Sequence, residues 1–342
     1  MLMYLVQSLR NERSLMFIAS LFILTFFIIM DIILYCSLQN TTLIYSKEEL
    51  KSDIKKTYSP FYPLSIKLVM TDHVSHYIIN PTNAYFDSMT EFSKIFYFIT
   101  PNIITICHLC VSIISAKFVT SESLRDRRIG VILYEIRTWL DGFDGTVYRS
   151  QSGNMIYRSD RHTFGYYMDM ICDTMGGVML NVAVWFYLCK CPPVKKPEGL
   201  PWKDPGENGI AVTSGTEKGN GKPSNKYLFW KCWCFGVSIA LSSMIWDRTV
   251  DRYTSVFQLK MQDSHKTELQ TQYLHATSTW VVMWLWRILE GQALLQMLLI
   301  SIFIDKIWEF INIMQYLSYV LIAALGILSE IHIRHVREII GM

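Results

Sequence analysis

The chain has 342 residues, of which 51% are hydrophobic, 14% aromatic and 18% charged, and its formal net charge is +3. In a soluble domain about a quarter of the residues are Asp, Glu, Lys or Arg. The composition therefore argues against an ordinary soluble protein. So small a net charge also gives no support to binding of nucleic acid, and we expect no nucleic-acid partner.

Long uncharged runs indicate membrane-spanning helices. Leu15–Met30 contains 16 residues without a charge, and Ile95–Ala116 contains 22. A helix needs about 20 predominantly apolar residues to cross a bilayer. The pattern predicts an all-α polytopic membrane protein surrounded by membrane lipids. Because the first run is long and lacks a small-residue cleavage site, residues 1–38 are interpreted as an uncleaved membrane anchor.

The apolar runs predict seven spans. They cover residues 15–38, 92–118, 128–149, 163–189, 227–247, 279–303 and 306–334. We expect residues 39–91 to form a loop and residues 92–342 to form a six-helix membrane domain. Within that domain, residues 191–226 contain six prolines and six glycines among 36 residues, which predicts a flexible linker.

The positions of basic residues predict the orientation in the membrane. Two arginines precede the first span, three fill the turn before the third helix, and six lysines lie in the 191–226 linker. In the seven-span topology these segments share one side, which the positive-inside rule makes cytosolic. The sequon Asn40-Thr41-Thr42 falls on the opposite, luminal side. Loop 39–91 is therefore expected to be luminal, and whether Asn40 is glycosylated stays open.

Four aspartates lie on two neighbouring predicted helices. Asp141 and Asp144 are three residues apart, and Asp169 and Asp173 are four apart. These spacings place each pair on one face of its helix. If the helices pack together, four carboxylates share a small volume, where their charges repel unless cations are bound. Oxygen-only ligands favour Mg²⁺, Mn²⁺ or Ca²⁺. Magnesium and manganese typically bind through a few carboxylates plus phosphates of a substrate, so we predict a site for one or two Mn²⁺ or Mg²⁺ ions.

Two glycines and an arginine accompany the aspartates. Gly145 directly follows the first pair, and Gly165 lies four residues before the second. A glycine inside a helix costs about 1 kcal/mol relative to alanine, so close approach of a substrate would explain its place beside metal ligands. Arg149 is suited to binding a phosphate or a carboxylate.

Two alternatives compete with a metal-dependent enzyme. Arg137 lies four residues before Asp141, so the charges can instead form structural salt bridges. A cavity with four aspartates can also bind a cation for transport across the membrane. The ordered glycines and arginine argue against transport, because a cation path needs no gap the size of a nucleotide.

Together these residues form the pattern D-x2-D-G-x2-Y-R-x15-G-x3-D-x3-D. It resembles the signature of the CDP-alcohol phosphatidyltransferase family, D-x2-D-G-x2-A-R-x8–9-G-x3-D-x3-D. The stretch TPNIIT, Thr100–Thr105, resembles the usual start of that family's first core helix, and the similarity covers residues 92–334. Tyr148 and the long spacer 150–164 depart from the pattern. In both of these features the chain resembles one branch of the family, the invertebrate ceramide phosphoethanolamine synthases.

The resemblance implies both a fold and an activity. The fold is a six-helix CDP-alcohol phosphatidyltransferase-like core plus one N-terminal transmembrane helix. The activity is metal-dependent transfer of phosphoethanolamine from CDP-ethanolamine to the primary hydroxyl of ceramide, which releases CMP. The resemblance also implies a homodimer in the Golgi membrane with a luminal active site. The residues themselves leave open ceramide or diacylglycerol as acceptor, ethanolamine or choline as headgroup, and the role of the 150–164 spacer.

The resemblance further implies a role for each matching residue. The four aspartates would hold the metal ions, and Asp173 would also be the general base that accepts the proton of the acceptor hydroxyl. The residues implied to bind the donor are Gly145, Arg149, Gly165, Asn102 and Thr105.

Overall fold

The structure, a computed structural model, describes residues 12–40, 64–152, 163–193, 223–258, 261 and 263–342. Every regular element in these ranges is a helix, and they contain no strand. The predicted all-α fold is therefore confirmed. Most of the 191–226 linker and of the 150–164 spacer lies outside the described residues, as do Thr41 and Thr42 of the sequon.

The described ranges contain twelve α-helices. They are α1 (Glu12–Gln39), α2 (Ile66–Met70), α3 (Asn80–Thr90), α4 (Phe92–Ile95), α5 (Pro101–Val119), α6 (Leu124–Ser152), α7 (Phe164–Lys190), α8 (Asn225–Phe257), α9 (Ser264–Leu274), α10 (Thr277–Leu289), α11 (Gly291–Phe303) and α12 (Ile307–Ile340). A π-helical segment, Ser75–Ile79, leads into α3.

Five of these helices are long and apolar enough to cross a membrane, namely α1, α5, α7, α8 and α12. Helices α10 and α11 are bent by 45° and together form a sixth candidate span. The chain is therefore an integral, multi-pass membrane protein, as predicted.

Two predicted spans differ from the structure. The span expected at 279–303 is broken at Glu290, whose extended backbone (φ −64°, ψ 160°) separates α10 from α11. Helix α6, the predicted third span, has 29 residues but is not among the five apolar helices in the described ranges, because charged residues occur along its whole length. Three of those charged residues, Arg127, Arg137 and Asp144, are buried within the protein.

The second span begins later than its apolar run suggests. Thr100 has an extended backbone (φ −76°, ψ 156°), and Pro101 is the first residue of α5. Proline is favoured at the first helical position because it lacks the N–H that would have no partner there, and it keeps the preceding residue out of the helical region. The residues from 92 to 100 form the short helix α4 and a turn.

Part of the expected loop 39–91 is helical and packed against the membrane domain. Helix α2 lies against α8 and α10, and α3 lies against α6. Asn83 donates a hydrogen bond to the Trp139 backbone oxygen at 3.2 Å, and the Trp139 indole donates to Thr82 at 3.1 Å. Residues 64–95 are thus part of the same packed body as the later helices.

The helix ends agree with the predicted arrangement. Arg127 in the first turn of α6 donates to Asp305 at 2.5 Å, and Lys190 at the end of α7 donates to the Thr120 backbone oxygen at 3.1 Å. The basic turn between α5 and α6 therefore shares one end of the molecule with the end of α7. A helix rises about 1.5 Å per residue, so Asp141 lies about 25 Å along α6 from that end. The luminal assignment of the aspartate end stays a prediction.

Helix α1 is mostly exposed but is joined to the body through Asp31. The Asp31 carboxylate accepts hydrogen bonds from Tyr77 at 2.7 Å and Trp284 at 2.6 Å. It also lies 2.8 Å from His73 Nε2 and 3.5 Å from the guanidinium of Arg287, which is fully buried. A buried cation needs a nearby counter-charge, and Asp31 supplies it.

We expect Asp31→Asn to lower the free energy of unfolding by about 1–3 kcal/mol, because it removes the charge facing Arg287 and an acceptor for several donors. The measurement is thermal unfolding in detergent followed by tryptophan fluorescence. The matched control is Glu309→Gln, an exposed carboxylate that pairs with Lys306 at 3.0 Å. Equal midpoints for both variants would contradict the role given to Asp31.

Candidate functional site

Three helices gather the four aspartates in one volume. Helix α6 carries Asp141 and Asp144, α7 carries Asp169 and Asp173, and α5 packs against both helices. One potential ligand atom from each of Asp141, Asp169, Asp173 and His108 lies within 4.8 Å of the others. The i,i+3 and i,i+4 spacings and the packing on α5 together produce this cluster.

Asp144 lies deeper, directly beside this group. Its side chain is buried, and its Oδ2 is 4.0 Å from His108 Nε2. The Thr105 hydroxyl donates to the same oxygen at 2.6 Å. Thr105, for which a contact with the donor stays a prediction, thus orients a carboxylate of the cluster.

A buried arginine compensates part of the negative charge. The Arg137 guanidinium contacts Asp173 Oδ1 and lies 3.6 Å from Asp141 Oδ2. The salt bridge considered as a structural alternative therefore exists. This salt bridge does not pair every carboxylate oxygen of the cluster, because Asp169 Oδ1 is buried without a hydrogen-bond partner among the described residues. Arg137, which was not among the predicted site residues, therefore contacts two of the four carboxylates.

Gly176, which the sequence analysis did not single out, brings α7 close to α5. A Cβ at Gly176 would lie 2.9 Å from Ser112 Oγ and 3.4 Å from Arg137 Nε. These separations leave little room for any side chain there. The glycine therefore lets Arg137 lie under α7, within reach of Asp173.

Four of the predicted donor-binding residues lie in two pairs, each a glycine that faces a polar side chain. A Cβ at Gly145 would lie 3.2 Å from an Arg149 guanidinium nitrogen, so the glycine leaves room for that group. A Cβ at Gly165 would lie 3.4 Å from Asn102 Oδ1, which brings the first turns of α5 and α7 together. Both glycines face polar side chains that can bind phosphate or ribose oxygens.

His108 on α5 is a member of the cluster that the sequence analysis missed. Its side chain is fully buried, and neither ring nitrogen has a hydrogen-bond partner in the described part of the chain. One feature of the sequence could have indicated it: Thr105, His108 and Ser112 are polar residues in an apolar run, spaced by three and four residues. That spacing places them on one face of the helix.

Lys67 on α2 is a second residue that was missed. Burial lowers the pKa of its ammonium group, while the carboxylate of Asp247 raises that pKa. Arg149 and Asp169 act on the same ammonium with smaller effects. A cation from the segment expected to be a loop therefore lies close enough to the cluster to interact with it.

The side chains of the cluster fit a divalent cation. Carboxylate oxygens from two helices and one imidazole are potential metal ligands. Three of the polar atoms are buried without hydrogen-bond partners in the described ranges, namely Asp169 Oδ1 and both ring nitrogens of His108. Buried polar atoms are normally paired, so unpaired ones that converge on a single point suggest a ligand.

Comparisons with known proteins find relatives over most of the chain. The model of a family described as ceramide phosphoethanolamine synthase matches residues 10–341. A Drosophila melanogaster protein named ceramide phosphoethanolamine synthase is 32% identical over 275 residues, which cover 80% of this chain and 69% of that protein. No solved structure matches. The family match includes α1 and residues 64–91, which lie outside the CDP-alcohol phosphatidyltransferase signature.

Proposed function

The chain belongs to the ceramide phosphoethanolamine synthase family, and we propose that it transfers phosphoethanolamine from CDP-ethanolamine to the primary hydroxyl of ceramide. The products are ceramide phosphoethanolamine and CMP, which makes the chain a CDP-alcohol phosphotransferase. The observation that carries this proposal is the gathering of Asp141, Asp169 and Asp173 beside Asp144.

The four aspartates would hold one or two divalent cations, Mn²⁺ or Mg²⁺. Bound there, such cations would neutralise charge on the donor's phosphates and favour an in-line displacement. Arg137 keeps two of the carboxylates in place, and Thr105 fixes the orientation of Asp144.

Asp173 is the proposed general base. The primary hydroxyl of the acceptor has a high pKa, so its proton has to leave as the oxygen attacks. Asp173 takes this proton while the oxygen forms a bond to the phosphorus next to ethanolamine. The bond from that phosphorus to the bridging oxygen breaks, and CMP leaves with the electron pair. The side chain of Asp173 is 39% exposed, so an acceptor can reach it.

The acceptor can approach from the bilayer along α7. Tyr167, Met170 and Ile171 lie beside the second aspartate pair in sequence and are 51%, 46% and 50% exposed. An apolar exposed face on a membrane-spanning helix contacts lipid tails. The site therefore has a lipid-facing side as well as polar groups that suit a water-soluble donor. Golgi residence, a luminal site and a homodimer remain part of the proposal.

The proposal is tested with the full chain purified in detergent and supplied with Mn²⁺ and CDP-ethanolamine. Ceramide and diacylglycerol are offered separately, and CMP and the lipid product are measured. We expect product with ceramide. Product with diacylglycerol alone would move the chain to glycerolipid synthesis, and absence of CMP with either lipid would contradict a transferase of this class.

We propose that Lys67, whose ammonium group interacts with Asp169 of the cluster, also binds the donor's phosphates. We therefore expect Lys67→Met to raise the KM for CDP-ethanolamine by about 10- to 100-fold and to change kcat less. Loss of a charged hydrogen bond to the donor's phosphates weakens binding by about 1.5–3 kcal/mol. The measurement is CMP release at varied donor concentration. Lys306→Met is the matched control, because Lys306 is 62% exposed and pairs only with Glu309 among the described residues. An unchanged KM in Lys67→Met would contradict donor binding by this residue.

A further inference from the structure

The imidazole of His108 lies among the carboxylates, and neither of its ring nitrogens has a hydrogen-bond partner in the described residues. Its Nε2 is 3.9 Å from Asp141 Oδ1, 4.0 Å from Asp144 Oδ2 and 4.0 Å from Asp173 Oδ1. These separations are too long for hydrogen bonds, which join N and O at about 2.7–3.2 Å. They are close to the roughly 3–4 Å between ligand atoms that share one ion at about 2.0–2.2 Å.

We propose that His108 Nε2 is a nitrogen ligand of a divalent cation held with Asp141, Asp169 and Asp173. The site would then have a mixed nitrogen and oxygen donor set, and it would prefer Mn²⁺ over Mg²⁺. This inference rests on the proposed function for the presence of a cation. It adds the histidine to the aspartates implied by the sequence pattern, and it gives the choice of metal a structural cause.

The surroundings of His108 favour a ligand over a packing residue. A buried imidazole normally donates from one nitrogen and accepts at the other, yet here neither nitrogen is paired within the described ranges. Desolvating an unpaired polar group costs about 1–3 kcal/mol, and a bound cation would remove that cost at Nε2.

The chemistry of the ligands predicts metal preference. Carboxylates serve Mg²⁺ and Mn²⁺ alike, whereas imidazole is a common ligand of transition metals. Magnesium also demands near-octahedral oxygen coordination and gives up its water reluctantly. One imidazole among the carboxylates therefore selects against Mg²⁺ without excluding it.

The test is pulsed electron paramagnetic resonance on the full-length protein, stripped of metal and reloaded with Mn²⁺. An imidazole ligand couples its nitrogen to the Mn²⁺ electron spin, and ¹⁵N-histidine labelling shifts that signal and identifies its source. We expect the labelled-histidine signal in wild type and in His265→Gln, an exposed histidine that serves as the matched control. In His108→Gln we expect the signal to disappear and the affinity for Mn²⁺ to fall by at least about tenfold.

Magnesium competition provides a second readout. The Mg²⁺ concentration that displaces half of the Mn²⁺ should fall in His108→Gln relative to wild type, because the nitrogen preference is lost. A wild-type protein that binds Mn²⁺ and releases CMP but shows no histidine coupling would overturn the inference and leave the proposed function intact. A wild type that neither binds Mn²⁺ nor releases CMP would overturn both.

Discussion

Asp173→Asn is expected to lower kcat for CMP release by about 10²–10⁴-fold, the range for loss of a general base. Asparagine keeps the size of the side chain but cannot accept the proton of the acceptor hydroxyl. Arg137 keeps its second carboxylate neighbour, Asp141 at 3.6 Å, so the buried cation is not left alone. We therefore expect the variant to fold, and we expect the other three aspartates to keep the metal and the donor bound while turnover is lost.

The control for this prediction is Glu309→Gln, which makes the same chemical change at an exposed surface position. Its kcat should match that of wild type. Thermal unfolding of Asp173→Asn identifies any loss due to misfolding. A folded Asp173→Asn protein with a kcat within about threefold of wild type would contradict the assignment of the base.

Arg137→Gln is expected to destabilise the metal-free protein by about 1–3 kcal/mol, less than the usual effect of breaking a fully buried ion pair, because the two carboxylates it faces are partly exposed. The guanidinium is buried, contacts Asp173 and faces Asp141. Without it, neighbouring carboxylates repel one another. A divalent cation replaces part of the missing positive charge, so Mn²⁺ should raise the unfolding midpoint more in the variant than in wild type.

This prediction is measured by thermal unfolding in detergent with and without Mn²⁺. Arg334→Gln is the matched control, because Arg334 is 71% exposed and pairs with Glu330 at 2.9 Å. A salt bridge made by so exposed an arginine contributes at most about 1 kcal/mol, and Glu330 keeps a second partner, Arg252. If Mn²⁺ shifts the midpoint of Arg137→Gln no more than that of wild type, Arg137 and the cation do not act on the same carboxylates.

The aspartate cluster was predictable because helical periodicity relates sequence spacing directly to a shared face. The pairs Asp141–Asp144 and Asp169–Asp173 come together once α6 and α7 both pack against α5. The long apolar runs likewise predicted most spans, since the bilayer requires about 20 such residues. Helix ends were less predictable, as Pro101 shows at the start of α5.

His108 and Lys67 could not be assigned in the same way, for different physical reasons. His108 lies in a largely apolar helix, and the aspartates that it approaches are more than 30 residues away in sequence. Lys67 lies in a five-residue helix that is too short to show a periodic pattern. The sequence of the surrounding segment, residues 39–91, predicts a loop. In both cases only tertiary packing brings the side chain to the aspartates.

The break at Glu290 has a similar origin. The run from 279 to 303 contains apolar residues on both sides of Glu290, and composition alone favours one helix. In the structure Glu290 accepts a hydrogen bond from the Asp72 backbone N–H at 2.9 Å. This hydrogen bond joins the helix break to the segment before α3. The position of that segment could not be predicted from the apolar run 279–303.

The central claim is that the four carboxylates hold the cations that the reaction needs. The most direct measurement is anomalous X-ray diffraction at the manganese edge from crystals of the full chain grown with Mn²⁺ and CDP-ethanolamine. We predict anomalous density within about 2.0–2.6 Å of carboxylate oxygens of Asp141, Asp144, Asp169 and Asp173. Bound donor with anomalous density elsewhere, or with none at these residues, would contradict the claim.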